Sequence, residues 1–306
     1  MLLGVRLALS TACAQAVGGD PDRVMELLLR AGVDGVELDG GLAPDLAAEL
    51  IARLRMRRDE LPVWSVENVC PARREGAAEL CSLDREEARV ALEAATETLC
   101  FAADAGAGVV ALRLGEVALL KSRWPVWRRR WLRGDLDEDA QARAVRERAV
   151  RGAPHLDPAR RALDRLGRVA DGLGLRLGLR NPMRLIGLPT AMELRMLLAD
   201  LAGAPIDPLW DIPATALLVE FGVPLEEVAA AWQGSPLVRL GEACGPVLGL
   251  GVGQGELDLP PLTRRLAETT RAVFAPWGGL DEAAVLAAVA SLRALPTAPP
   301  AEAPAK

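Results

Sequence analysis

The sequence predicts a single-domain α/β protein of the (β/α)8 barrel class, the TIM barrel. Short apolar runs alternate with longer amphipathic runs, and eight such pairs fit within the 306 residues. The short runs are apolar on both faces, as parallel strands buried on both sides should be. The stretch STACAQAVGGD, after the first run, is not the glycine-rich loop expected of a doubly wound nucleotide-binding sheet. A closed barrel is therefore favoured over an open sheet.

The eight apolar runs define the predicted strands, at residues 3–9, 35–38, 62–67, 108–114, 175–180, 208–211, 236–240 and 271–275. Amphipathic runs between them predict helices at 21–31, 43–55, 84–105, 136–151, 158–172, 190–201, 224–232, 259–269 and 281–295. Several starts carry capping signals, because Asp20 precedes Pro21, Asp281 opens the last helix, and Ser82 or Asp84 opens the helix at 84–105.

Three segments lie outside this repeat. Residues 115–137 read as an irregular insertion after strand four, and 296–306 read as a disordered tail rich in Pro and Ala, so the barrel is assigned to 1–295. The start, MLLGVRLALSTACAQA, has the apolar character of a signal peptide, but Arg6 lies inside the apolar run and no basic region precedes it. A first strand is the preferred interpretation.

Composition narrows the function classes. The net charge of −6 argues against a general nucleic-acid binder, which would need a basic face. No uncharged apolar run is long enough for a membrane span, so no membrane partner is expected. The five cysteines form no CxxC pair and are odd in number, which favours reduced thiols and a cytoplasmic location.

The insertion contains the unusual stretch KSRWPVWRRRWLRGDLDED, in which Trp124, Trp127 and Trp131 alternate with arginines. Such a mixture could bind single-stranded nucleic acid by stacking and charge. It could equally form a lid or a contact between subunits, since Trp and Arg are enriched at protein interfaces. We prefer the lid or a homo-oligomer contact through 121–133, because the acids at 135–139 would weaken nucleic-acid binding.

Polar residues stand where the predicted strands end, the position of working groups in such barrels. They are Glu37 and Asp39, Glu67 and Asn68, Arg113, Arg180 and Asn181, Asp211, Arg239 and Glu242, with Gln254, Glu256 and Asp258 in a later loop. Each could simply cap a strand or a helix, and each arginine could point outward between helices. Their joint pattern favours a shared cleft.

Seven stretches together resemble the xylose isomerase-like barrels, the sugar phosphate isomerase/epimerase superfamily. They are AGVDGVELDG, SLDREEARVALEAATETLCFAADAGAGVVALRLG, LDRLGRVADGLGLRLGLRNP, PTAMELRMLLADL, PLWDIPATA, SPLVRLGEA and GLGVGQGELDLPPL, in the family's order. The resemblance implies metal-assisted proton or hydride movement at a sugar carbonyl. A divalent ion would be held by carboxylates of strands five and eight, an Asp after strand six and a His.

This chain departs from that ligand set. The strand-five Glu corresponds to Arg180, followed by the family's usual Asn as Asn181. In the Asp–x–Gly–His element the acid is kept as Asp211, while Ala214 replaces the imidazole. These departures predict that the divalent metal expected from the resemblance is missing and that no cofactor is bound, with Asp211 the one clear surviving ligand position.

Strands seven and eight depart in the same way. Arg239 and Glu242 stand where the family has His and Asp, and Ala275 stands where it has Glu. The glycine-rich turn with its acid is kept, as Gly253, Gly255, Glu256 and Asp258. The one histidine, His155, lies in a loop before a helix and reads as a solvated or capping residue. That single histidine also argues against an apurinic-site endonuclease, which needs a histidine-rich zinc cluster.

A cleft with several acids and no cation would be electrostatically unfavourable. We hypothesise that Arg180 and Arg239, together with Arg113, take the place of the ion. They would either bridge the acids or bind an anionic group.

These observations predict an isomerase/epimerase-like barrel with little or no isomerase activity that binds a small polar or anionic, carbohydrate-like ligand at the barrel mouth. The predicted ligand contacts are Arg113, Arg180, Asn181, Asp211, Arg239, Glu242 and Glu256, with Glu37 and Glu67 as candidate acid–base residues. The alternatives are an active sugar isomerase or epimerase with an atypical site, and a protein-interaction scaffold.

Overall fold

A computed structural model of the chain describes residues 5–72, 78–135, 137–245, 247–267, 269–276 and 278–295. Eight parallel strands close into a barrel in which every strand pairs with its neighbours in sequence, and β1 pairs with β8. They are β1 (Arg6–Ser10), β2 (Gly35–Leu38), β3 (Val63–Glu67), β4 (Val109–Leu112), β5 (Arg176–Arg180), β6 (Ile206–Asp211), β7 (Leu237–Arg239) and β8 (Arg271–Phe274). The predicted (β/α)8 TIM-barrel fold is confirmed.

The helices of the described chain surround this barrel. They are α1 (Pro21–Ala31), α2 (Pro44–Met56), α3 (Arg85–Ala105), α4 (Trp124–Leu132), α5 (Glu138–Gly152), α6 (Leu156–Gly172), α7 (Ala191–Asp200), α8 (Ile212–Glu220), α9 (Leu225–Trp232), α10 (Leu259–Thr263) and α11 (Glu282–Arg293). The carboxylates of Asp20, Asp84 and Asp281 accept hydrogen bonds from first-turn backbone amides, as the capping signals predicted.

One large indole fills the centre of the barrel. The pairing of β2 with β3 shifts between Val36 and Glu37, so Trp64 is an extra residue of β3 and packs inward with Ala8, Leu209 and their neighbours. Its ring occupies the space that a side chain at Gly35 would need, because a Cβ there would lie 2.4 Å from the ring. This packed layer closes the barrel below its carboxyl-terminal mouth.

Outward-facing strand residues form the main core against the helices. Leu7, Leu9, Val36, Leu38 and Leu177 are all fully buried in this layer. Each fully buried aliphatic side chain contributes about 1.5–3 kcal/mol relative to exposure. The layer fixes the strands, and therefore the directions in which side chains leave them at the mouth.

Some predicted elements were wrong. The insertion at 115–137 is not irregular, since it contains the short strand Gly115–Glu116 and helix α4. The predicted helix at 259–269 ends at Thr263. Helix α8 and the hairpin Glu242–Cys244/Val247–Leu250 were not predicted. In α8 the signal was present, because Asp211 caps a helix with proline in its first turn.

The predicted tail at 296–306 lies outside the described residues, as does the start of the predicted first strand. All five cysteines are free thiols. Within the described ranges, no helix combines the length and the apolar character needed to cross a membrane.

Candidate functional site

Six charged side chains meet at the carboxyl-terminal mouth of the barrel. They are Glu37, Glu67, Arg113, Arg180, Asp211 and Arg239, each at or just after the end of a strand from β2 to β7. Alternate residues of a strand face the barrel axis, and the six share the inward phase. The fold therefore brings together residues that lie up to 202 positions apart.

Glu67 lies at the centre of this cluster. Its Oε1 accepts hydrogen bonds from Arg113 Nη2 at 2.8 Å and from Arg180 Nη1, and its Oε2 accepts one from Arg239 Nη2 at 3.0 Å. Burial would raise the pKa of Glu67, but the charges of Arg239, Arg113 and Arg180 outweigh it and hold that pKa well below its usual range. Glu67 is therefore ionised and surrounded by donors.

Arg180 and Arg239 each bridge two acids. Arg180 donates to Glu67 through Nη1 and to Asp211 through Nη2, and its side chain is 2% exposed. Arg239 Nη2 donates to both Glu37 and Glu67. Both guanidinium groups thus lie inside the barrel mouth and not between the helices. Their planar donors suit this role, since each can serve two carboxylates at once.

The other two acids of the cluster, Glu37 and Asp211, have pKa values that are shifted in opposite directions. Burial raises the pKa of Glu37 above its usual value, although the charge of Arg239 opposes the rise. Ser65 Oγ donates to its Oε2 at 3.0 Å. Burial also acts on Asp211, but the charges of Arg180 and Arg239 lower its pKa overall. Asp211 Oδ1 accepts from the Ala214 amide at 3.0 Å, which caps α8.

Asn181 fixes Asp211 in place. Its Nδ2 donates to the Asp211 carbonyl at 3.0 Å, and its Oδ1 accepts from the Asp211 amide at 2.7 Å. Thr215 Oγ1 donates to the same carbonyl at 3.0 Å and accepts from Trp210 Nε1 at 2.9 Å. The amide of Asn181 is thus committed to the backbone of β6, which makes it a positioning group for Asp211.

A cleft in two compartments opens above the cluster, with volumes of about 580 and 550 Å³. The two compartments share five of their lining residues: Asp39, Glu67, Arg113, Arg180 and Met183. Asp211 and Arg239 line one compartment, and Asn181 lines the other. Glu37 lines neither, because it is fully buried beneath them. Asp39 was among the strand-end residues expected at a shared cleft, but it was not included in the predicted ligand contacts.

Two of the predicted ligand contacts lie elsewhere. Glu242 is buried, and its carboxylate accepts from the amides of Gly253 at 2.9 Å and Gly255 at 2.6 Å, so it holds the glycine-rich turn. Glu256 is exposed on that turn, with Oε1 3.7 Å from the thiol of Cys244. Neither side chain is among the residues that line the two compartments.

Helix α4 carries the Trp/Arg-rich stretch, and its two residue types separate. Trp124 and Trp131 pack against Phe221, with ring centroids 5.6 and 6.0 Å apart, and Trp127 joins the same cluster. All three tryptophans are half-buried in this cluster. Arg128 and Arg129 are exposed. A contact with a second copy through 121–133, or a lid role, stays a prediction.

Histidine and cysteine do not contribute to the mouth cluster. His155 is buried, with Nδ1 2.8 Å from the Cys81 carbonyl oxygen, so the expectation of a solvated side chain was wrong. It stands at the N-cap position of α6, but its side chain makes no capping hydrogen bond. In the part of the chain that the structure describes, no three His, Cys, Asp or Glu side chains are grouped so that they could hold a metal ion.

Comparison with known proteins agrees with this architecture. No protein-family model matches the chain. No curated protein matches it either. Among solved structures, a putative xylose isomerase from Rhodospirillum rubrum superposes with a TM-score of 0.70 at 16% identity, covering 95% of this chain and 99% of that one. A 3-keto-D-glucoside 4-epimerase from E. coli superposes with a TM-score of 0.66 at 14% identity, covering 94% and 99%.

An L-ribulose 3-epimerase is similar to the same degree, with a TM-score of 0.66 at 15% identity over 95% of this chain and 92% of that one. The fold and the mouth together define a (β/α)8 barrel protein with a polar, arginine-rich cleft at the carboxyl ends of its strands. More narrowly, the chain has the fold of the xylose isomerase-like TIM barrels.

Proposed function

We propose that this chain is an isomerase/epimerase-like barrel protein that has lost the divalent-metal site. It binds a small polar or anionic, sugar-like ligand at the barrel mouth and has little or no isomerase activity. The observation that carries this proposal is the position of Arg180, whose guanidinium lies between Glu67 and Asp211. The resemblance to the isomerases implies a metal-binding carboxylate at that position.

The donor set at the mouth does not fit a divalent cation. Such an ion takes six or more oxygen ligands from several groups. Here the oxygens of Glu67, Asp211 and Glu37 are occupied by N–H donors of Arg180, Arg239 and Arg113. A guanidinium offers no lone pair to a metal and would repel it at this distance. The arginines therefore supply the positive charge that the acids require.

The cleft still offers groups that suit a hydroxylated or anionic ligand. The Arg113 side chain is 47% exposed and uses one Nη to bind Glu67, which leaves its other N–H groups available. Asp39 adds a carboxyl group beside it in both compartments. The structural neighbours are named for sugars, which supports a carbohydrate-like ligand as the class to test first.

Calorimetric titration with D-tagatose, L-ribulose and a ketose phosphate tests the ligand class. We expect binding by the wild type and a loss of at least about tenfold in affinity for Arg113→Met, since charged hydrogen bonds contribute about 1.5–3 kcal/mol. Arg176→Met is the matched control, because Arg176 pairs with Asp207 at the other end of the barrel. Equal loss in both variants, or no binding of any probe, would contradict the proposal.

Metal analysis and hydrogen exchange test the lost metal site. Purified protein should contain no stoichiometric divalent metal, and titration with Mn²⁺ should show no tight binding. Exchange of the C1 or C3 hydrogens of ketoses, which flank the C2 carbonyl, should stay at background in D₂O with and without added Mn²⁺ or Mg²⁺. Exchange that depends on metal would instead identify an active isomerase or epimerase with an atypical site.

A further inference from the structure

Asp39 is an acid of the cleft that no arginine neutralises. It follows β2 and is one of the five residues that line both compartments. Among the described residues, none of the ion pairs at the mouth includes Asp39, whereas Glu37, Glu67 and Asp211 each pair with at least one guanidinium. A ligand that enters either compartment therefore meets Asp39 as an accessible carboxyl group.

The backbone holds this carboxyl group in one orientation. The Asp39 amide donates to Thr11 Oγ1 at 2.8 Å, and Oδ1 accepts from the Gly41 amide at 2.7 Å. These contacts form an Asx turn that fixes the side chain relative to β2. The remaining lone pairs of the carboxylate are free of backbone donors, and a carboxylate can accept about four hydrogen bonds.

The charged and titratable groups around Asp39 come from several parts of the chain: Glu67, Arg113, Arg180, Arg239, Cys13 and Cys70. Burial raises the pKa of both thiols, so neither carries charge at neutral pH. Burial and the charge of Glu67 raise the pKa of Asp39 to about 6, and the hydrogen bond from the Gly41 amide and the charge of Arg239 oppose the rise.

Asp39 and Glu67 thus form a carboxyl pair whose two members differ. Three arginines keep Glu67 ionised, so the last proton of the pair resides on Asp39. Glu37 is fully buried, and the oxygens of Glu67 accept hydrogen bonds from three arginines. Asp39 is therefore the carboxyl group of this pair that is placed to accept from a ligand.

We propose that Asp39 is the residue that recognises the hydroxyl groups of the ligand, as a hydrogen-bond acceptor in its ionised form. This inference rests on the proposed function, because it assumes a polyhydroxylated ligand in the cleft. When Asp39 is protonated, its carboxyl group is directed to Glu67 and a ligand hydroxyl loses its acceptor. When Asp39 is ionised, a hydroxyl donor relieves the repulsion between the two carboxylates.

Titration calorimetry with D-tagatose and L-ribulose at pH 5 and pH 8 tests this assignment. With a pKa of about 6, the ionised fraction of Asp39 differs about tenfold between these pH values, so the wild type should bind about tenfold more tightly at pH 8. Asp39→Asn should bind weakly and equally at both. Asp207→Asn, which removes an acid at the other end of the barrel, should keep the wild-type pH dependence.

A second measurement reports on Asp39 without any ligand. In protein labelled with ¹³C at the aspartate carboxyls, one resonance that is missing from Asp39→Asn should titrate near pH 6. A midpoint below about 4.5 would overturn the inference, as would ketose binding that is equally pH-dependent in Asp39→Asn. Failure of the wild type to bind either ketose would overturn the proposed ligand class, and this inference with it.

Discussion

Replacing Arg180 by methionine tests whether the arginine bridge holds the barrel mouth together. The change keeps an unbranched, flexible stem but removes the guanidinium between Glu67 and Asp211, whose side chains are 8% and 3% exposed. Glu67 keeps Arg113 and Arg239 as partners, whereas among the described residues Asp211 loses its one ion-pair partner. Removing one partner from a buried pair costs about 3–5 kcal/mol.

That loss is a large share of the free energy of unfolding of a typical domain, about 5–15 kcal/mol. Urea unfolding at pH 7 measures it. The lowered pKa of Asp211 gives stability that is present above its unfolded value of about 3.9 and is lost as pH falls through the folded value. The difference between Arg180→Met and wild type should therefore shrink on acidification. Adding Asp211→Asn to Arg180→Met should recover part of the loss at pH 7.

Arg176→Met is the matched control for this experiment. Arg176 lies on the same strand and pairs with Asp207 of the same neighbouring strand, but its side chain is 51% exposed. An exposed pair contributes about 0–1 kcal/mol. If Arg180→Met lost no more stability than Arg176→Met, the arginines would not be neutralising buried acids, and the electrostatic account of the mouth would be wrong.

Three further predictions follow from other contacts. Asp39→Asn should equal wild type in free energy of unfolding near pH 4 and exceed it by up to about 2–3 kcal/mol at pH 8. The reason is that a folded-state pKa of about 6 makes ionisation of Asp39 costly as pH rises. Urea unfolding across pH checks this, and a difference that does not change with pH would contradict it. Arg148→Met should cost about 3–5 kcal/mol, since Arg148 donates to Glu193 at 2.6 and 2.8 Å and is 1% exposed; chemical denaturation should show most of it recovered when Glu193→Leu is added. Trp131→Ala removes the edge contact with Phe221 and should speed tryptic cleavage within 121–133, while the urea midpoint of global unfolding changes little. An unchanged rate of cleavage would show that the packing of Trp131 on Phe221 does not hold α4 in place.

The order of the barrel elements could be predicted from local patterns. Helix starts at Asp20 and Asp281 and the bounds of β2 agreed with the prediction, because capping and buried strands depend on neighbouring residues. Helix α4 was missed, although Trp124, Trp127 and Trp131 follow the i, i+3, i+7 spacing of one helix face. Its tryptophans are half-buried because they pack against Phe221, which lies about 90 residues later.

Glu67, Arg180, Asp211 and Arg239 could be predicted as site residues from their positions at strand ends, because the last residues of parallel strands in a barrel lie at the same mouth. The pattern could not rank them by role. Glu242 looks like a ligand contact in sequence, and only the folded turn shows that backbone amides occupy its carboxylate.

By itself, then, the sequence determined the barrel and the set of charged residues at its mouth, because alternation and chain order decide which side chains face the axis. Tertiary structure alone decided which acids are neutralised. Glu67 gathers three guanidinium groups from strands that are far apart in sequence, while Asp39, two residues beyond Glu37, is left without one. Coulomb energies depend on distances of a few ångströms and on burial, and the spacing of residues along the sequence gives neither quantity.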